Sequence, residues 1–111
     1  MSPDPNANPG EDCPPDLPDA PPDAIVRSLA IINQRGLHAR ASAKFVQTVE
    51  KFDADVRVTR CGETVGGTSI MGLMMLAAGP GCEIELLAAG ADAEPALLAI
   101  AELIQRKFDE D

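Results

Sequence analysis

The chain divides by hydrophobic pattern at about residue 24. Before it, apolar residues are sparse and show no period; after it, periods of two and of three to four residues alternate. Leu29 and Ile31 alternate with Ser28 and Ala30, which predicts a strand ending near Asn33. Residues 39–52 place Ala41, Phe45, Val49 and Phe52 on one face with Val46 beside them, the spacing of an amphipathic helix. Val56 and Val58 alternate with Arg57 and Thr59, a second strand. Cys61-Gly62 then reads as a tight hairpin turn into a short strand around Thr64-Val65, broken by Gly66-Gly67.

Ser69 is placed to cap a short helix running to about Leu76. Gly79-Pro80-Gly81 forces a loop. Ile84, Leu86 and Ala88 alternate with Glu83, Glu85 and Leu87, a strand with one largely wet face. Asp92 is the expected cap of a last helix, where Pro95 is tolerated in the first turn. Its expected buried stripe is Leu97, Ala101, Ile104 and Phe108, and Arg106 and Lys107 suit its C-terminal dipole. The order β-α-β-β-α-β-α, with wet-faced strands, predicts an α+β open-faced sandwich: a four-stranded antiparallel sheet with three helices on one face.

Charge sharpens the boundary. Residues 1–23 hold eight of the ten prolines, six acids and no base. Such a segment cannot offset its ordering entropy by burial, so a disordered acidic tail is expected over 1–23 and one domain over 24–111. The net charge of −9 falls to −3 for 24–111, which holds twelve acids and nine bases. No basic stripe or aromatic platform is present, which argues against nucleic-acid binding. With no Trp, no Tyr and three Phe, a deep aromatic pocket is not expected, and the chain reads as one that acts on other proteins at its surface. No apolar run reaches the length of a membrane span and no secretory segment precedes the domain, so a cytoplasmic, monomeric protein is expected. Cys13, Cys61 and Cys82 match no metal spacing, and reduced thiols are expected. No metal or cofactor is implied.

The chemistry concentrates in Gly36-Leu37-His38-Ala39-Arg40, around the only histidine. A carrier of phosphate needs a nucleophile whose bond is labile, and imidazole nitrogen supplies one. A helix N-terminus disfavours an imidazolium and so keeps a lone pair on the ring. The backbone N–H groups near Ala39 and Arg40 would meet the incoming charge, and the Arg40 guanidinium would add a charge-assisted partner. By spacing alone, a histidine at a helix start is more often a capping or surface residue.

The neighbouring residues alter that balance. Gly36-Leu37-His38-Ala39-Arg40-Ala41, with Thr68-Ser69-Ile70-Met71-Gly72-Leu73 at a distance, resembles the histidine-containing phosphocarrier protein (HPr) family of the bacterial phosphoenolpyruvate-dependent phosphotransferase system. The resemblance runs from residue 25 to about 108. It implies a relay, not an enzyme with its own turnover. Phosphate would arrive on His38 Nδ1 from enzyme I, itself charged by phosphoenolpyruvate, and leave to an enzyme IIA-type acceptor. It implies Arg40 as the phosphate's charge partner and Ser69 as the serine that a dedicated kinase modifies in some members. Ile70, Met71 and Met74 match the exposed apolar helix on which partners dock; methionine suits a surface that fits several partners. The chain departs from the family where proline is usual and Ala41 stands, a feature that leans toward the nitrogen-related branch. It also continues through Asp109-Glu110-Asp111, beyond where many members end. A regulatory interaction protein controlled by phosphorylation of Ser69 is the alternative reading. Asp53, Asp55, Glu83 and Glu85 read as solvated surface, and the glycine pairs as turns without the lysine of a phosphate loop.

Overall fold

The computed structural model describes residues 24–109, so the tail expected over 1–23 lies outside the described residues. Four strands and three helices follow in the expected order: β1 (Ile25–Ala30), α1 (Ala39–Val49), β2 (Asp55–Arg60), β3 (Glu63–Gly66), α2 (Ile70–Met75), β4 (Glu83–Ala89) and α3 (Ala93–Gln105). The sheet order is β1-β4-β2-β3, with every neighbouring pair antiparallel. β1 stops three residues short of the expected Asn33, because the chain leaves the sheet to make the turn that precedes α1.

The strand pattern decides which face is covered. Ile84, Leu86 and Ala88 of β4 and Val56 and Val58 of β2 share one face and enter the core. Phe45, Val46 and Val49 of α1, Leu73 of α2, and Leu97, Ile100 and Ile104 of α3 close over it. Phe45, Leu73, Ile84, Leu86 and Ile100 have no exposed surface; burying each such side chain is worth about 1.5–3 kcal/mol. The opposite face is less wet than the alternation suggests. Leu87 is buried outside the core cluster, paired with Val26 on one side and Arg57 on the other. Thr59, also buried, shares a 2.8 Å hydrogen bond with Thr64 across the β2–β3 pair.

The hairpin forms as expected. Arg60 pairs with Glu63, and the two loop residues Cys61 (φ 53°) and Gly62 (φ 79°) both take positive φ, as a two-residue primed turn requires. Cys82 is a free thiol, so no Cys61–Cys82 bridge forms.

α3 buries a wider face than the expected stripe. Ala93, Ala96, Leu97, Ile100, Leu103 and Ile104 are buried, while Ala101 lies at the margin. Leu97 and Ile104 are buried as expected, and Phe108 is buried beyond the end of the helix; the covered face is wider than one row of i+3 and i+4 steps. Asp92 occupies the N-cap position but makes no side-chain cap bond. Its Oδ2 instead accepts from Asp53 N–H at 2.8 Å, and its own N–H donates to Asp53 O at 3.0 Å. The pair fastens the α1–β2 loop to the start of α3.

Past α3, Lys107, Phe108 and Asp109 all take positive φ, between 54° and 58°. Left-handed backbone costs an L-residue roughly 1–2 kcal/mol, so this turn must be held from outside. Phe108 is buried, and Lys44 of α1 donates to Phe108 O at 2.9 Å. Lys44 also reaches Asp109 Oδ2 at 3.4 Å, and Arg106 Nε donates to Asp109 Oδ1 at 3.2 Å. No helix among the described residues is long and apolar enough to cross a membrane.

Candidate functional site

Between β1 and α1 a set of hydrogen bonds holds the turn that leads to the histidine. Asn33, fully buried, opens a turn: Gly36 N–H donates to Asn33 O at 3.2 Å, and Asn33 Nδ2 donates to Gly36 O at 2.8 Å. Gly36 has φ 63°, and a Cβ there would sit 2.2 Å from Ala78 O and 2.9 Å from Gly79 Cα. Only glycine lets the loop press this closely on the segment after α2. The approach allows Leu37 N–H to donate to Ala78 O at 2.9 Å, while the Leu37 side chain is buried.

His38 follows as the N-cap residue of α1, in extended backbone (φ −73°, ψ −177°). Its side chain makes no cap bond, and it is half-buried. The first helical hydrogen bond runs from Ser42 N–H to His38 O at 2.8 Å. The N–H groups of Ala39, Arg40 and Ala41 therefore have no partner within the helix, and they carry the positive end of its dipole. Arg40 is exposed in this first turn; Ala41 is fully buried. His38, Ala39 and Arg40 are thus brought together on one helix start, as the spacing implied. Histidine, unpaired donors and a guanidinium there can receive a dianion in transit.

α2 supplies the second element. Ser69 is its N-cap residue (φ −105°, ψ 103°), and its exposed Oγ accepts from Gly72 N–H at 3.0 Å. Leu73 and Leu76 face the core, while Ile70, Met71, Met74 and Met75 are exposed. Met71 and Met75 are more than 70% exposed, so an apolar helix face is presented to solvent. The sequence reading named Ile70, Met71 and Met74 but missed Met75; a full helical turn on from Met71, it belongs to the same face. Ala77 ends the helix in left-handed backbone (φ 53°), and Arg60 Nη1 donates to Leu76 O at 2.7 Å. Arg60 Nη2 also lies 3.4 Å from Cys82 Sγ. It is the Ala78 end of α2 that meets the His38 loop. Ser69 lies at the other end, roughly 10 Å along the helix at 1.5 Å per residue. The histidine loop and the serine are thus held by one short helix without sharing one spot.

Two residues of the site were not read from the sequence. Ser42 is fully buried and its Oγ donates to Leu37 O at 3.1 Å. Asn33 is the other. Both are polar residues at apolar-face positions, and that mismatch was the available signal. Among the described residues no group of three or more His, Cys, Asp or Glu is placed to hold a metal ion.

Comparison with known proteins gives a consistent result. A family model described as the PTS HPr component phosphorylation site matches residues 25–106. The phosphocarrier protein HPr of Neisseria meningitidis is 52% identical over 86 residues, covering 78% of this chain and 97% of that protein. The phosphocarrier protein NPr of Shewanella violacea is 42% identical over 86 residues, covering 78% and 94%. The crystal structure of HPr-C-His from Thermoanaerobacter tengcongensis superposes with a TM-score of 0.74 at 40% identity, covering 78% of this chain and 98% of that one. With the sheet order, the helix-start histidine and the exposed α2 face already in place, the chain belongs to the HPr family of phosphotransferase-system phosphocarriers.

Proposed function

We propose that this chain relays phosphoryl groups through His38, from enzyme I to an enzyme IIA-type acceptor in the cytoplasm. The observation that carries the reading is the position of His38 as N-cap of α1, beside three N–H groups without helical partners and next to Arg40. In the first step the Nδ1 lone pair attacks phosphorus. The Nδ1–P bond forms as the bond from phosphorus to its donor atom on enzyme I breaks, and that atom keeps the electron pair. For Nδ1 to hold a lone pair in the neutral ring, the proton resides on Nε2. The Ala39 N–H and the Arg40 guanidinium receive the charge on the phosphoryl oxygens. In the second step an acceptor nucleophile displaces His38 from phosphorus, and the neutral ring returns. The exposed face of Ile70, Met71, Met74 and Met75 meets both partners in turn.

Incubation with phosphoenolpyruvate and a cognate enzyme I should label the wild type with an acid-labile phosphoryl group and leave His38→Ala unlabelled. Labelling that persists in His38→Ala removes the assignment.

A second reading gives Ser69 a regulatory role as the substrate of a kinase. It is favoured by the exposure of Ser69 at the edge of the Met face. A phosphate there would remain compatible with the helix start while placing about two negative charges beside the docking residues. Ala41, which leans toward the nitrogen-related branch, is buried at the start of α1, and the relatives include both an HPr, of Neisseria, and an NPr, of Shewanella.

A further inference from the structure

Three successive carbonyls lead into the site, and each has a donor. Asn33 Nδ2 donates to Gly36 O at 2.8 Å, Ser42 Oγ to Leu37 O at 3.1 Å, and Ser42 N–H to His38 O at 2.8 Å. The N–H groups of the next three residues have no helical partners. Carbonyl oxygens and amide hydrogens are thereby sorted. Lone pairs that would repel a phosphoryl group are engaged by donors, and the exposed Ala39 and Arg40 offer N–H groups that would attract one.

Ser42 accounts for two of these three bonds and is fully buried. A buried hydroxyl loses hydration, so its retention calls for a partner. It has one, the carbonyl immediately before His38. We infer that Ser42 is a positioning residue for phosphotransfer. Its hydroxyl holds the Leu37–His38 peptide so that the Leu37 oxygen stays out of the phosphate site and the Ala39 and Arg40 N–H groups point into it. Ser42 does not touch the phosphoryl group. The inference rests on His38 being the acceptor.

The test uses the full chain, phosphoenolpyruvate and a cognate enzyme I. Ser42→Ala removes the hydroxyl and leaves a side chain of nearly the same size. Transfer to His38 should slow about three- to tenfold, the scale of one neutral hydrogen bond. The effect should fall on the rate at saturation and not on the concentration of enzyme I needed to reach it. Ser42→Thr, which keeps the donor, should restore most of the rate. The specific signature is spectroscopic: phosphorylation should shift the amide protons of Ala39 and Arg40, and Ser42→Ala should shrink those shifts. This readout decides the matter if the extra methyl of Ser42→Thr disturbs packing. Wild-type rate and wild-type shifts in Ser42→Ala overturn the inference. So does a slower rate that tracks a lowered melting temperature while the shifts stay unchanged. If the wild type takes no label, or His38→Ala still does, it is the His38 reading that fails instead.

Discussion

Gly36→Ala probes the contact that seats the histidine loop. Two costs arise. An alanine at φ 63° takes left-handed backbone, worth roughly 1–2 kcal/mol. Its Cβ would also lie 2.2 Å from Ala78 O and 2.9 Å from Gly79 Cα, both backbone atoms. They cannot swing aside as a side-chain tip could, so the loops must separate. Separation loses the Leu37 N–H bond to Ala78 O, another ~1 kcal/mol. The sum is roughly 2–3 kcal/mol before any loosening of Leu37. At 4–8 °C per kcal/mol for a domain of this size, the melt should fall by roughly 8–24 °C. Gly81→Ala is the control: Gly81 has φ 86° but nothing within 4 Å of its Cβ position, so it carries the backbone cost alone. With no Trp or Tyr in the chain, urea unfolding is best followed by circular dichroism at the helix band. Gly36→Ala should lose at least 1 kcal/mol more than Gly81→Ala, and its phosphotransfer should slow in step with loop displacement. Equal losses in the two variants would falsify the close-approach argument.

Four further outcomes follow from other parts of the molecule. Ala77→Gly, which relieves left-handed backbone at the end of α2, should raise stability by about 1 kcal/mol in the same urea assay; a loss would mean that the Ala77 methyl packs usefully. Leu73→Ala should cost about 2–5 kcal/mol, whereas Met71→Ala should leave the urea midpoint almost unchanged and weaken binding to enzyme I in titration calorimetry, since Leu73 is fully buried and Met71 is 73% exposed. Ser69→Ala should lose about 0.5–2 kcal/mol with the Gly72 N–H bond, while Ser69→Asp should keep the cap and reduce affinity for enzyme I. The side-chain bond from Arg106, with that from Lys44, holds the Asp109 carboxyl below its ordinary value. A depressed carboxylate contributes stability that is complete above its unfolded value of 3.8 and is lost as the pH falls through its folded value. Between pH 6 and pH 3 the urea midpoint of Asp109→Asn should therefore fall less than that of the wild type.

Elements announced by local periodicity were legible in the sequence. Alternation fixed β2 and β4, the Cys61-Gly62 pair gave a two-residue hairpin, and Ser69 capped α2. What escaped was long-range. Asp92 looked like a helix cap, yet its carboxylate serves Asp53, a residue 39 positions away. Arg60 went unremarked in the sequence, and it holds the C-terminal end of α2. β1 ends early because Asn33 is drawn into a buried turn that only Gly36 and Ala78 together explain. The candidate site divides in the same way. His38, Ala39 and Arg40 stand in one pentapeptide and were found together. Ser42 sat unremarked on the apolar side of α1, because its task is defined by a carbonyl five residues back. Met75 was missed because helix orientation, not composition, decides which methionines of α2 face solvent.

The central claim is that the phosphoryl group resides on His38 Nδ1. A long-range proton–nitrogen spectrum of the uniformly nitrogen-labelled protein contains a single imidazole, since the chain has one histidine. Recorded before and after charging with phosphoenolpyruvate and enzyme I, it should show Nδ1 shifted and coupled to phosphorus, with Nε2 still protonated. A phosphorylated protein whose imidazole nitrogens are unmoved, or whose phosphorus coupling falls on Nε2, would contradict the account.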